Sequence, residues 1–242
     1  MLGKLRQSLS RKRLEAIGRR NRQRDEEVLD MLGLRSYFTD AYATTGVSGG
    51  DIAFLHNYIR EHRPRRVIEF GTGKSTWVIA RCMELYCWDR YDGDIRLVSM
   101  EESDYWYDEQ LKYFPKHEIP HFDDFVEVVL SGVEDYRYGH IVGKSYVNTP
   151  REHFDFGFVD GPDAHGTCNM DLIKLVEVAD KPVSAVVDNR KSTQIAYAVL
   201  LGRENLVRYH TGLCHVRNVT KADLRDADYG RFFPGRLKLL RL

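Results

Sequence analysis

Val67-Ile68-Glu69-Phe70-Gly71-Thr72-Gly73-Lys74-Ser75-Thr76-Trp77-Val78-Ile79-Ala80 decides how this chain folds. The stretch follows a basic cluster (Arg63, Arg65, Arg66) and starts as a β-prone, mostly apolar run. Two glycines come next, and then a helical run from Trp77. Buried strand, glycine turn and helix N-terminus together form the unit that places a nucleotide-like ligand at the carboxyl edge of a parallel sheet. The glycines let backbone approach a ligand, and Ser75 is the expected cap of the helix. Gly73-Lys74-Ser75-Thr76 matches the end of a phosphate-binding P-loop, but that loop needs a glycine five residues before Gly73, where Ile68 stands. A dinucleotide fingerprint needs its third glycine where Thr76 stands. An ordinary strand-turn-helix carries the same pattern, so the rest of the chain must separate these readings.

The 242 residues suffice for one α/β domain with a real core. Hydrophobic residues make up 43% and charged residues 30%, which is globular rather than disordered. Thirty-six basic residues balance 36 acidic ones, so no global field draws the chain to nucleic acid, which is not an expected partner. Cys82, Cys87, Cys168 and Cys214 show no metal-ligand pairing and no regular spacing. They fit a reducing compartment without a disulfide framework. No apolar run reaches transmembrane length, and no secretory leader pattern follows the basic start. A cytoplasmic location is the expectation.

The charge is unevenly placed. Residues 1–24 hold nine basic residues and one acid, Glu15, with Leu2, Leu5, Leu9, Leu14 and Ile17 near helical spacing. Residues 1–44 therefore read as a basic N-terminal helical arm. Solvent exposure is the plain reading of the arm; contact with an anionic membrane surface or a polyanionic substrate is the sharper one. A second helix is expected to end near Leu32-Gly33, and Tyr37 to Gly50 reads as a turn-rich loop. Asp51 is the expected cap of a helix with Ile52, Leu55, Tyr58 and Ile59 on one face. The second strand, Ile95 to Met100, ends in Glu101-Glu102. A carboxylate there can accept from both hydroxyls of a ribose, and Glu101 is the expected acid. Phe125 to Leu130 is a third strand, followed by Ser131 and Val133, where an adenine would be bordered. Tyr136 to His153 reads as a long aromatic and polar excursion suited to substrate contact. The fourth strand runs from Phe154 to Pro162 and turns acidic at Asp160; the fifth, Val183 to Val187, stops at Asp188-Asn189-Arg190. Leu206 to Val219 alternates like a hairpin around Thr211-Gly212. The fold class is α/β: a Rossmann-like, seven-stranded, mostly parallel sheet with helices on both faces and an antiparallel C-terminal hairpin.

Glu69-x-Gly71-x-Gly73-x-Ser75, Glu101 and Asp155-Phe156-Gly157-Phe158-Val159-Asp160-Gly161-Pro162 resemble the class I methyltransferases that use S-adenosylmethionine (SAM). The resemblance covers about residues 45 to 220, and residues 45–242 read as the methyltransferase domain. It is nearest to the small-molecule O-methyltransferases of the catechol and caffeoyl-CoA type and their bacterial sugar-modifying relatives. It implies SAM as cofactor, held by Glu69, Gly71, Gly73, Ser75, Glu101, Ser131, Val133 and Asp160. It also implies a Mg²⁺ site on Asp160, Asp188 and Asn189, oxygen ligands that suit that ion. Those families carry a basic lysine three residues after the first metal ligand; here Asp163 stands there. His165 is the nearest titratable replacement, so Asp160 and His165 are the candidate catalytic residues.

The activity implied is methylation of a hydroxyl on a small molecule or glycan. Two rival readings stay open at this level: a P-loop-like nucleotide hydrolase using Lys74 and Asp160, and a non-catalytic module of the same fold that grips a polyanion through its arm. The oligomeric state has no signature in the sequence.

Overall fold

The computed structural model describes residues 2–38, 50–162, 167–209 and 212–226, with side chains from residue 16 onward. The expected domain boundary at 44–45, His165, Thr211 and the basic tail at 231–242 lie outside the described residues.

A seven-stranded sheet orders the molecule. It contains β1 (Arg66–Phe70), β2 (Arg96–Glu101), β3 (Val126–Leu130), β6 (Phe156–Val159), β7 (Val183–Val187), β8 (Leu206–Arg208) and β9 (Cys214–Val219). Their order across the sheet is β3-β2-β1-β6-β7-β9-β8. Strands β3, β2, β1, β6 and β7 pair in parallel, and β9 is antiparallel to both neighbours. This is the expected sheet with its C-terminal hairpin.

The central strands bury both faces. Val67 joins one apolar cluster with Leu97, Phe156, Phe158 and Val186; Ile68 joins the other with Val98, Met100, Ala185 and Val187. That two-sided burial is why these strands read as mostly apolar rather than alternating. Helices α2 (Asp51–His62) and α3 (Lys74–Cys87) pack on the first face, and α6 (Asp171–Val178) and α7 (Lys191–Leu200) on the second. Helices α4 (Asp104–Tyr113) and the single turn α5 (Phe122–Phe125) connect β2 to β3.

Three local expectations are corrected. The basic arm and the helix after it are one element, α1 (Leu2–Leu32). Gly33, at φ +72°, stops it, and the N–H of Leu34 returns to the carbonyl of Leu29 at 2.9 Å. Leu29, Leu32 and Leu34 are buried in the same cluster as Ile52 and Trp77. The cap of α2 is not Asp51. Asp25, from α1, accepts from the Ala53 N–H at 2.9 Å and from the Gly50 N–H, so a carboxylate 28 residues away serves the first turn. The excursion from Tyr136 is an antiparallel hairpin, β4 (Val133–Tyr138) with β5 (Ile141–Tyr146). Gly139, at φ +54°, supplies its turn, and Tyr146 is completely buried. Its alternation is obscured because β4 reads Glu-Asp-Tyr-Arg-Tyr after Val133: the adjacent Glu134 and Asp135 are both exposed, while Tyr136 and Tyr138 pack on the core.

Candidate active site

Backbone pairing brings the candidate residues into a row. Phe70 is level with Met100 on one side and Val159 on the other; Val159 is level with Val187, and Glu101 with Leu130. The residues that follow continue the ladder. Gly71 donates to the Met100 carbonyl at 3.0 Å, Ser131 to Glu101 at 2.8 Å, Asp160 to Phe70 at 2.8 Å and Asp188 to Val159 at 3.0 Å. Thus Gly71, Glu101, Ser131, Asp160 and Asp188 all stand at the carboxyl edge. The strand order reverses between β1 and β6, and ligands of open α/β sheets bind at such a switch point.

The two glycines of the turn have different reasons to exist. Gly71 sits at φ +96°, and a Cβ there would lie 2.5 Å from the Gly161 nitrogen and 2.8 Å from the Gly161 Cα. The protein itself demands this glycine. Gly73 has extended backbone, and a Cβ there would meet nothing nearer than the Ser75 hydroxyl at 3.8 Å. Among the described residues nothing fills that space, which is what a cradle for a ligand requires.

Glu69 and Ser75 lie beneath this turn. Glu69 is completely buried and accepts from Ser75 at 2.5 Å, Ser99 at 2.6 Å and Thr76. Burial pushes its carboxyl up to about 7, although the three hydroxyls pull it down. Its oxygens are thus turned inward, and they fix the glycine turn to β2. Ser75 is not the cap of α3 either: the helix starts at Lys74, and Thr76 accepts from the Gly73 N–H at 3.0 Å. The hydroxyls that a P-loop would turn to a nucleotide's metal ion are spent on Glu69, and Lys74 lies over the Phe38 ring at 5.2 Å. This geometry does not favour the P-loop reading.

Glu101 is buried at the tip of β2. Its Oε1 accepts from the Glu102 N–H at 3.0 Å and the Ser103 N–H at 2.9 Å, and the Thr72 N–H of the glycine turn also reaches the carboxylate. Burial pushes it up to about 7. Ser131 is buried, and its hydroxyl is held between the Gly132 carbonyl at 3.1 Å and the Asn148 N–H at 3.0 Å. Val133 starts the hairpin opposite Tyr146.

A buried polar network, which the sequence reading missed, fixes this hairpin to the crevice. Asp171 is completely buried; Ser145 Oγ (2.7 Å), the Tyr146 N–H (2.9 Å), Thr149 Oγ1 (3.0 Å) and Asn169 Nδ2 (2.7 Å) all donate to it. Asn169 also donates to the Gly161 carbonyl at 2.6 Å and accepts from Tyr197 at 2.9 Å. The Tyr146 hydroxyl donates to Glu102 at 2.7 Å. A Cβ on Gly161 would lie 2.8 Å from that hydroxyl, so the loop after β6 is wedged between the glycine turn and Tyr146.

Asp160 and Asp188 come together as expected from consecutive strands. Asp160 is pushed up to about 8, first by burial and then by Asp188. Its ionic partner is Arg190, whose Nη2 lies 3.3 Å from Asp160 Oδ1. The Asn189 side chain lies against Gly212. Among the described residues no three His, Cys, Asp or Glu side chains are grouped as metal ligands. The expected Mg²⁺ set does not fit this arrangement, because a guanidinium holds the acid that would have to face a second cation.

No family model matches the sequence, and no curated protein does. Solved structures do match in shape. The SAH-bound methyltransferase PaMTH1 of Podospora anserina is 16% identical, with 86% of this chain and 94% of that chain covered at a TM-score of 0.52. The SAM-bound O-methyltransferase TomG of Streptomyces achromogenes is 18% identical, covering 80% and 90% at 0.47. An O-methyltransferase of Bacillus cereus bound to SAH is 17% identical, covering 81% and 91% at 0.46. The first of these likenesses, taken with the strand order, shows that the chain shares the α/β fold of that methyltransferase.

Proposed function

We propose that this chain transfers the methyl group of SAM to a hydroxyl of a small-molecule or glycan acceptor. The observation that carries the reading is the open space at Gly73, beside a buried carboxylate, Glu101, at the point where the strand order reverses. SAM would supply a methyl group already activated on a positively charged sulfur. The chain's own residues then have three tasks. Glu101 accepts from the ribose hydroxyls. Gly71 and Gly73 let backbone pass close to the ligand, with Glu69 and Ser75 bracing them from below, while Ser131 and Val133 border the base. Asp160, at the tip of β6 beside the Arg190 guanidinium, is the candidate acceptor for the proton of the attacking hydroxyl. His165 is the second candidate for that proton.

Calorimetry with S-adenosylhomocysteine (SAH) tests the cofactor site. Charge-assisted bonds from a ribose are worth about 1.5–3 kcal/mol, so Glu101→Ala should bind roughly tenfold or more weakly. Undetectable binding to the wild type would sink the proposal. Transfer of labelled methyl from SAM to a mixed panel of phenols, sugars and amines tests the acceptor, and labelling of amines alone would overturn the oxygen assignment.

A further inference from the structure

The tips of β6 and β7 carry their own positive charge. Arg190 Nη2 meets Asp160 at 3.3 Å, and Nη1 donates to the Pro162 carbonyl at 3.2 Å. Its Nε is buried and has no hydrogen-bond partner among the described residues. The side chain is 27% exposed, so the guanidinium is neither sealed in the core nor loose in solvent. Pro162 follows Gly161, whose backbone packs on Gly71, so the guanidinium is fixed to the loop that touches the glycine turn. Behind it, Gln194 Nε2 donates to the Asp188 carbonyl at 3.3 Å and to the Gly212 carbonyl at 2.8 Å, which holds the β7 tip in place. Arginine stays charged at any working pH and offers five donors in a fixed plane. Two are used here and one is buried without a partner.

We propose that Arg190, paired with Asp160, is the resident cation of this site, in place of the divalent ion that Asp160 and Asp188 would otherwise hold, and that the site works without a metal ion. The proposal deepens the methyltransferase reading: the positive charge beside the attacking oxygen is a guanidinium. A guanidinium held against Asp160 neutralises one of two neighbouring acids and repels a second cation brought beside it.

The test uses the full chain and Mn²⁺, followed by electron paramagnetic resonance, with SAH affinity measured in parallel. Wild type should hold no Mn²⁺ at millimolar metal. Arg190→Ala should gain a site at least tenfold tighter than anything in wild type, Arg190→Lys should not, and adding Asp188→Asn to Arg190→Ala should abolish the gain. A stoichiometric site in wild type that disappears in Asp188→Asn would overturn the proposal, and so would the absence of a gain in Arg190→Ala. SAH affinity should be the same within about twofold in wild type and Arg190→Ala. Loss of SAH binding from wild type would count against the methyltransferase reading alone, because the Mn²⁺ comparison stands without it.

Discussion

Replacing each glycine of the turn by alanine should separate folding from binding. At Gly71 the new Cβ adopts φ +96° and presses on the Gly161 backbone at 2.5 Å. A side chain in left-handed backbone costs about 1–2 kcal/mol. Overpacking against backbone adds about 1–3 kcal/mol. Together these give a destabilisation of about 2–5 kcal/mol. At about 2–4 °C per kcal/mol for a chain of this size, the melting temperature of Gly71→Ala should fall by roughly 4–20 °C. At Gly73 the backbone is extended and the Cβ meets nothing within 3.8 Å. Gly73→Ala should therefore melt within about a degree of wild type. If SAH lies on this loop, the methyl group takes the space the ligand needs, and affinity should drop about tenfold or more, equal to about 1.4 kcal/mol. Thermal denaturation and calorimetry on both variants give the four values required. Unchanged SAH affinity in Gly73→Ala would refute the ligand's placement, and an unchanged melting temperature in Gly71→Ala would refute the contact with Gly161.

The remaining predictions concern stability. Asp171→Ala strands several buried donors, each worth about 1–3 kcal/mol, and should lower the melting temperature by at least about 6 °C in thermal scans; a smaller loss would mean the network relaxes. Glu69, Glu101 and Asp160 keep their protons in the folded protein up to about 7, 7 and 8, well above the unfolded range near 4. Their contribution is therefore complete below about pH 4 and lost as pH rises through 7–8, so the unliganded protein should melt lower at pH 8.5 than at pH 7, and a flat or rising profile would contradict these shifts. Asp25→Ala removes the cap of α2 and should cost about 1–2 kcal/mol in denaturant titrations, with no effect if the cap is replaced by water. Deleting residues 1–24 stops one residue short of that cap and should leave the melting temperature nearly unchanged while abolishing sedimentation with anionic vesicles.

The strands and the glycine turn were legible because each central strand is a mostly apolar run that ends at a glycine or an acid, and the parallel register then puts those ends in one row. The residues that make the row into a site were not legible. Arg190 reaches Asp160 across 30 positions, Asp171 reaches Ser145 across 26, and Asp25 reaches Gly50 across 25. Each pairing depends on how separate elements dock, which no local spacing encodes. Glu69 shows the converse difficulty. An acid beside two glycines reads as a ligand group, yet its three hydroxyl partners stand at positions 75, 76 and 99, and they turn it into the floor of the loop.

That floor bears on how descendants of such a chain would diverge. Selection for a folded protein alone acts on Glu69, which carries three buried hydroxyls, and on Gly71, which the Gly161 backbone presses. Selection for ligand binding acts on Gly73, where the protein leaves space. A lineage that gave up catalysis but kept the fold would hold the first two and let the third drift. Among relatives of this chain, a side chain at position 73 would mark a lost enzyme, whereas an intact Glu-x-Gly at positions 69–71 would mark only a protein that still folds.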